Sequence, residues 1–160
     1  IDEYRLSVLA GYKRSKAEVL ARMEQRKQSK SQPQKQDDSY ISLTELARNH
    51  SKNSPGYVIQ SWLRSENTLA FLNLWEQENN PDYREAGYIE LLEKKKTASF
   101  TLTPKLWIEK TKATGIASKQ GKGGGTFAHP MIGCEFTSWI SPEFRMLLLK
   151  LSLDRERLKA

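Results

Sequence analysis

Residues 115–130 read G-I-A-S-K-Q-G-K-G-G-G-T-F-A-H-P, and residues 131–142 continue M-I-G-C-E-F-T-S-W-I-S-P. Gly121 to Gly125 form a glycine run broken only by Lys122, and short apolar pieces, Gly115-Ile116-Ala117 and Thr126-Phe127-Ala128, flank it. Glycine accepts positive φ and lets a backbone approach its partner closely, so the run reads as the tip of a β-hairpin. Lys119, Gln120 and Lys122 then project from that tip. A basic, glycine-rich hairpin rising from an ordered core has the shape of a nucleic-acid-binding wing. An ordinary solvated hairpin with incidental lysines carries the same pattern.

Working outward from the hairpin, a helix is expected from about Pro130 to Ile140, with His129-Pro130 as a packing or capping element at its start. Cys134, between Ile132 and Phe136, is expected to be buried and inert. Ser141-Pro142 restarts a last helix bearing Phe144, Leu147, Leu148, Leu151 and Leu158. Leu149 and Leu153 widen its apolar face beyond a strict heptad seam, so at least part should pack on the domain. On the N-terminal side of the hairpin, Thr103-Pro104 opens a helix through Leu106, Trp107 and Ile108 that stops at Gly115. Phe100 and Leu102 suggest a strand before it.

The compact part begins near Tyr40. Tyr40 and Ile41 suggest a short strand, and Ser42 with Glu45 makes a capping box that opens a helix with Leu43, Leu46 and Ala47 inward. Ser51 to Gly56 is turn chemistry containing Lys52, and Pro55 suits the first position of the next helix. That helix places Val58, Ile59, Trp62 and Leu63 on one side and Tyr57, Gln60, Ser61 and Arg64 on the other. Two short helices joined by a tight polar turn, the second with an apolar back and a hydrogen-bonding front, make a helix-turn-helix candidate. A third helix from Asn67 to Gln77 carries Leu69, Phe71, Leu72, Leu74 and Trp75, too many for a narrow stripe, and should be central to the core. Pro81 ends it, and Tyr83 to Lys94 reads as a further helix with Ile89, Leu91 and Leu92 inward. By the same pattern Trp62, Trp75, Trp107 and Trp139 are core residues.

Residues 1–38 read as an arm. Tyr4, Leu6 and Val8 alternate with polar residues as in a strand, Ser15 and Glu18 cap a basic helix through Met23, and Ser29 to Asp38 lack any apolar residue. With no initiator Met at Ile1 and no evident tail, the chain reads as a segment of a longer protein, and no signal peptide is visible. The 160 residues hold 26 Lys and Arg against 19 Asp and Glu, a net charge of +7. Such a surface attracts phosphate backbones or anionic membranes. No apolar run approaches the ~20 residues of a spanning helix. A single cysteine leaves no internal disulfide or cysteine-based zinc cluster and fits a reducing cytosol.

Taken in order, these segments resemble the KilA-N domain of bacteria, phages and large DNA viruses. The matching runs are Y-I-S-L-T-E-L-A (40–47), V-I-Q-S-W-L-R-S-E-N-T (58–68), F-L-N-L-W-E-Q (71–77), S-F-T-L-T-P-K-L-W-I (99–108), A-T-G-I-A-S-K-Q-G-K-G-G-G-T-F-A-H (113–129) and E-F-T-S-W-I-S-P-E-F (135–144). The domain is similar to the APSES DNA-binding domain of fungal transcription factors. The resemblance implies an α+β, winged helix-turn-helix-like fold over residues 39–151, with an arm at 1–38 and the end of the last helix at 152–160. It implies a regulatory role on double-stranded DNA in bacterial or infected-cell cytoplasm. By position, Lys119, Gln120, Gly121 and Lys122 fall at the wing tip, and Tyr57, Gln60, Ser61 and Arg64, with Lys52 in the turn before them, fall at the helix-turn-helix. Where the family's tip often carries an arginine and an aromatic residue, this chain has Lys122 and Gly124, which makes the tip more flexible and leaves its sequence preference open. Gln60 and Gln120 could pair with adenine edges, and the lysines and arginine suit phosphates or guanine.

Catalytic chemistry finds little footing. His50 and His129 have no partner at metal-ligand spacing. Asp82 with Glu85, or Glu90 with Glu93, could be imagined as nuclease carboxylates but read more simply as solvated helical charges. Lys122-Gly123-Gly124-Gly125-Thr126 has the wrong spacing for a nucleotide phosphate loop. The expectation is therefore a DNA-binding protein, not an enzyme, without cofactor or metal. The alternative is an antirepressor-like protein-interaction module that contacts a partner, or itself, through the arm or the last helix.

Overall fold

Serine, threonine and proline positions set most element boundaries in the computed structural model, which describes residues 39–159 and, apart from them, the helical Ala21. The strand expected around Tyr4, the helix opened by Ser15 and the linker from Ser29 to Asp38 lie outside the described residues. The elements run β1 (Ile41–Ser42), α1 (Leu43–His50), α2 (Pro55–Leu63), α3 (Glu66–Asn79), α4 (Glu85–Lys95) and α5 (Pro104–Thr111). The hairpin strands β2 (Ile116–Lys119) and β3 (Gly125–Ala128) follow, then α6 (Pro130–Ile140) and α7 (Pro142–Lys159). Side-chain oxygens of Ser42, Ser65 and Thr103 accept from the backbone N–H three residues on, which satisfies an otherwise orphaned donor at each helix start. His129 does the same for α6, its Nδ1 accepting from Met131 N at 3.1 Å.

The three strands form one antiparallel sheet in the order β1-β3-β2. Ile41 pairs with Ala128 on one edge, and Ser118 and Lys119 pair with Thr126 and Gly125 on the other. This is an α+β arrangement, with the small sheet packed among the helices. Its core draws on every element from α1 to α6, and Trp62 stands near the middle, fully buried and edge-on to Phe136 at 5.0 Å. Trp107, on α5, is also fully buried. The indole N–H groups of Trp62, Trp75 and Trp107 have no acceptor among the described residues, so these side chains serve the core through volume rather than hydrogen bonding.

Several expectations are corrected. Leu74, Ile89 and Cys134 are exposed. Each sits two residues from a buried neighbour (Leu72, Leu91 and Ile132), and two residues of α-helix turn a side chain about 200° away. Phe100 and Leu102 form no strand. Leu102 is buried, but the segment only bridges the end of α4 to the Thr103 cap and reaches no sheet edge. Helix α5 ends at Thr111 rather than running to Gly115, because Lys112 adopts a left-handed conformation at φ 53°. Trp139 is 46% exposed, since Phe136 takes the inward position one turn earlier and Trp139 stacks on its outer side. Helix α7 fully buries no residue: Phe144 and Leu148 are half-buried near its start, where it meets α6, and its other leucines are exposed.

Candidate nucleic-acid interface

Helices α1 and α2 are separated by residues 51–54, a four-residue polar turn. Pro55 occupies the first turn of α2, where its missing N–H costs nothing. The apolar back of α2 is as expected: Val58, Ile59, Trp62 and Leu63 are all buried. On its front, Tyr57 and Arg64 are exposed while Gln60 and Ser61 are half-buried. The Arg64 guanidinium lies 5.8 Å from the centre of the Tyr57 ring, a cation–π contact that joins the two ends of this front. Tyr57 and Ser61 also line a shallow cleft of about 330 Å³ together with His50, Asn53 and Trp139. Lys52 is exposed in the turn beside it.

The hairpin tip is built by glycine backbone geometry. Gly121 and Gly123 have φ of 85° and 74°, and nothing lies within 4 Å of the space a side chain would occupy at either. Lys119, Gln120, Gly121 and Lys122 are exposed there. Lys119 is steadied from below, its Nζ 5.2 Å from the centre of the Phe127 ring. The hairpin and α2 share a brace, because α1 packs against both β3 and α2. Thr44 on α1 accepts a hydrogen bond from Thr126 N at 3.0 Å. Among the described residues no ion pair joins the tip residues to the front of α2, and the two sets stand as separate groups on one frame.

Charge is distributed unevenly around this frame. Among the described residues, Lys52, Arg64, Lys119 and Lys122 form no ion pair. Of the carboxylates weighed as nuclease candidates, Glu90 pairs with Lys94 and Lys110, and Glu93 with Lys96. Hydrogen bonds from Lys110 and Lys94 hold the Glu90 carboxyl below its ordinary value. Among the described residues no group of three or more His, Cys, Asp or Glu could hold a metal ion, and no helix is long and apolar enough to cross a membrane.

Sequence reasoning missed one residue. Glu76, in the last turn of α3, is only 1% exposed and accepts hydrogen bonds from Gly115 N, Thr114 N and Asn80 Nδ2. Burial pushes its carboxyl above the usual value, and these bonds pull it partly back. The signal was its place on the buried stripe: Leu69, Leu72 and Glu76 follow at three and four residues, the spacing of one helix face.

Comparison with known proteins gives a family to this geometry. The KilA-N domain model matches residues 24–155. Over 58 residues the chain is 41% identical to protein kilA of Escherichia phage P1, which is 34% of this chain and 22% of that relative. The chain thus spans about a fifth of the length of the curated relative it matches. No solved structure matches. With a match that covers most of its length, the chain belongs to the KilA-N domain family.

Proposed function

We propose that the chain is a regulatory DNA-binding module in which α1 and α2 act as a helix-turn-helix and the β2–β3 hairpin acts as a wing. The observation that carries this reading is the set of unpaired cations, Lys52, Arg64, Lys119 and Lys122, on elements that α1 holds in one frame. A four-residue turn matches the helix-turn-helix motif, whose second helix enters the major groove. Tyr57, Gln60, Ser61 and Arg64 then face base edges. The wing tip of Lys119, Gln120, Gly121 and Lys122 follows the phosphates, where point charges fix position without reading sequence. Family membership supports the same reading, as does the likeness to the phage protein kilA. The compact binding unit is taken as residues 39–151. Titrating labelled duplex at several salt concentrations tests it: neutralising about five phosphates makes log K fall with log salt at a slope near −4 to −5. A flat response, or no binding at low salt, removes the DNA reading.

A second reading is favoured by α7. Its Met146, Leu147, Leu149, Leu151 and Leu153 are each at least half exposed, an unusual concentration of apolar surface on one helix. That surface fits contact with a second copy of the chain. Sedimentation of the wild type and of a Leu149→Glu/Leu153→Glu variant checks it: a dimer that the variant dissociates supports self-association, and a wild-type monomer at high concentration removes it.

A further inference from the structure

The segment that leads into the hairpin, residues 112–115, is held through backbone groups of Lys112, Thr114 and Gly115 by side chains and backbone far along the chain. Asn80 Nδ2 donates to Lys112 O at 2.8 Å, Tyr40 Oη donates to Thr114 O at 2.7 Å, and His129 N donates to Gly115 O at 2.9 Å. The N–H groups of Thr114 and Gly115 converge on one side chain. Glu76 Oε1 accepts from Gly115 N at 2.7 Å and from Thr114 N at 3.0 Å, and its Oε2 accepts from Asn80 Nδ2 at 2.8 Å. A side chain on Gly115 would meet Ile132 and Trp75 at 2.5–2.7 Å, so the backbone lies flat against the core here. Ile116 and the first strand of the hairpin begin at the next residue.

Nothing about α3 itself calls for a carboxylate at this position. A buried charge is costly, and the C-terminal end of a helix carries partial negative charge that repels an anion. A leucine would complete the stripe of Leu69 and Leu72. Among the described residues, however, each hydrogen-bond partner of Glu76 is a donor and no cation pairs with it. Only a carboxylate can accept from all of them at once. A glutamine would turn its own NH₂ toward one of these donors and leave that donor without an acceptor.

We propose that Glu76 is the positioning residue of the wing, a side chain that touches no DNA but fixes the angle at which the β2–β3 hairpin leaves the domain relative to α2. This rests on the DNA-binding reading above. Thr44 holds the returning strand through Thr126 N, and Glu76 holds the root of the outgoing strand, so the hairpin is tied at both strands to helices of the frame.

The test is a double-mutant cycle on duplex binding between Glu76→Gln and Lys119→Ala/Lys122→Ala, with amide exchange measured on the same proteins. Glu76→Gln is expected to stay folded, to expose the Thr114, Gly115 and hairpin amides to faster exchange, and to weaken binding about tenfold with a shallower salt slope. The two changes are expected to be strongly non-additive, because lysines on a misdirected wing have little left to lose. A residue that merely stabilised the core would give additive losses. Additive losses, or unchanged binding in a folded Glu76→Gln protein, overturn the proposal. If Glu76→Gln fails to fold, Tyr40→Phe loosens the same segment from the other side, and the cycle is read on it with the same two outcomes. If the wild type binds no duplex, the DNA reading fails separately, and unchanged hairpin exchange in Glu76→Gln overturns the anchoring itself.

Discussion

The surface of α4 and α5 and the surface of α2 with the hairpin are both rich in cations, but they use them differently. On the first, Lys94, Lys96 and Lys110 are answered by Glu90 and Glu93, so the charge of these three is spent within the protein. On the second, Lys52, Arg64, Lys119 and Lys122 form no ion pair among the described residues. A net charge therefore says little about where a polyanion binds. What matters is which cations are left unanswered, and four of them lie on a turn, a helix front and a hairpin tip that share α1 as a brace.

The tryptophans of the two sides give the largest expected difference. Trp107 sits fully buried beneath the paired surface, so Trp107→Ala should cost about 3–5 kcal/mol in chemical unfolding. Trp139, 46% exposed beside Tyr57 and Ser61, should cost well under that when replaced by alanine. Equal losses would mean that Trp139 is as structural as Trp107. Next in size is selectivity on the unpaired side: Gln60→Ala/Arg64→Ala should lose about 1–3 kcal/mol of discrimination between a selected site and a scrambled duplex. Loss of affinity for both duplexes equally, with selectivity lost instead in the hairpin variant, would make the hairpin the reader.

Lys119→Ala/Lys122→Ala should weaken binding to all duplexes alike and reduce the salt slope by about two. Lys94→Ala/Lys96→Ala removes as many charges from the paired side and should leave the slope nearly unchanged. If both pairs lower it equally, the contrast between the two surfaces is broken. The smallest effect is expected from Lys96→Ala alone. Its pair with Glu93 is well exposed on both sides, so the melting temperature should move by no more than about 2 °C.

The parts of this fold that sequence reveals are those fixed by local chemistry. Ser42, Pro55, Thr103 and Pro130 mark helix starts because each solves the problem of the unpaired first-turn N–H groups, wherever the helix goes next. The glycine run marks the hairpin for an equally local reason. The facing of single apolar residues is less local. Leu74, Ile89 and Cys134 fit an apolar run, and only the phase relative to Leu72, Leu91 and Ile132 turns them outward. The leucines of α7 depend on whether anything packs against them, which no pattern within the helix decides. Glu76 was hidden because its partners lie far along the chain, at Thr114 and Gly115. In the candidate interface, residue types pointed to the cations and the polar front of α2. That Gln60 and Ser61 are half-buried, while Tyr57 and Arg64 pair with each other, follows only from packing.

The open space around Gly121 and Gly123 has a consequence for how such a domain diversifies. Because this part of the tip faces open space, the side chains of Gln120 and Lys122 can be exchanged with almost no effect on folding, provided Gly121 and Gly123 keep glycine or a residue that tolerates positive φ and Gly124 and Gly125, where a side chain would meet Lys119 O or Thr44, stay glycine. Contact chemistry at the tip can thus drift independently of stability, whereas the front of α2 shares a helix with Trp62 and cannot. Related domains can in this way acquire new targets first at the hairpin, on a scaffold that stays the same.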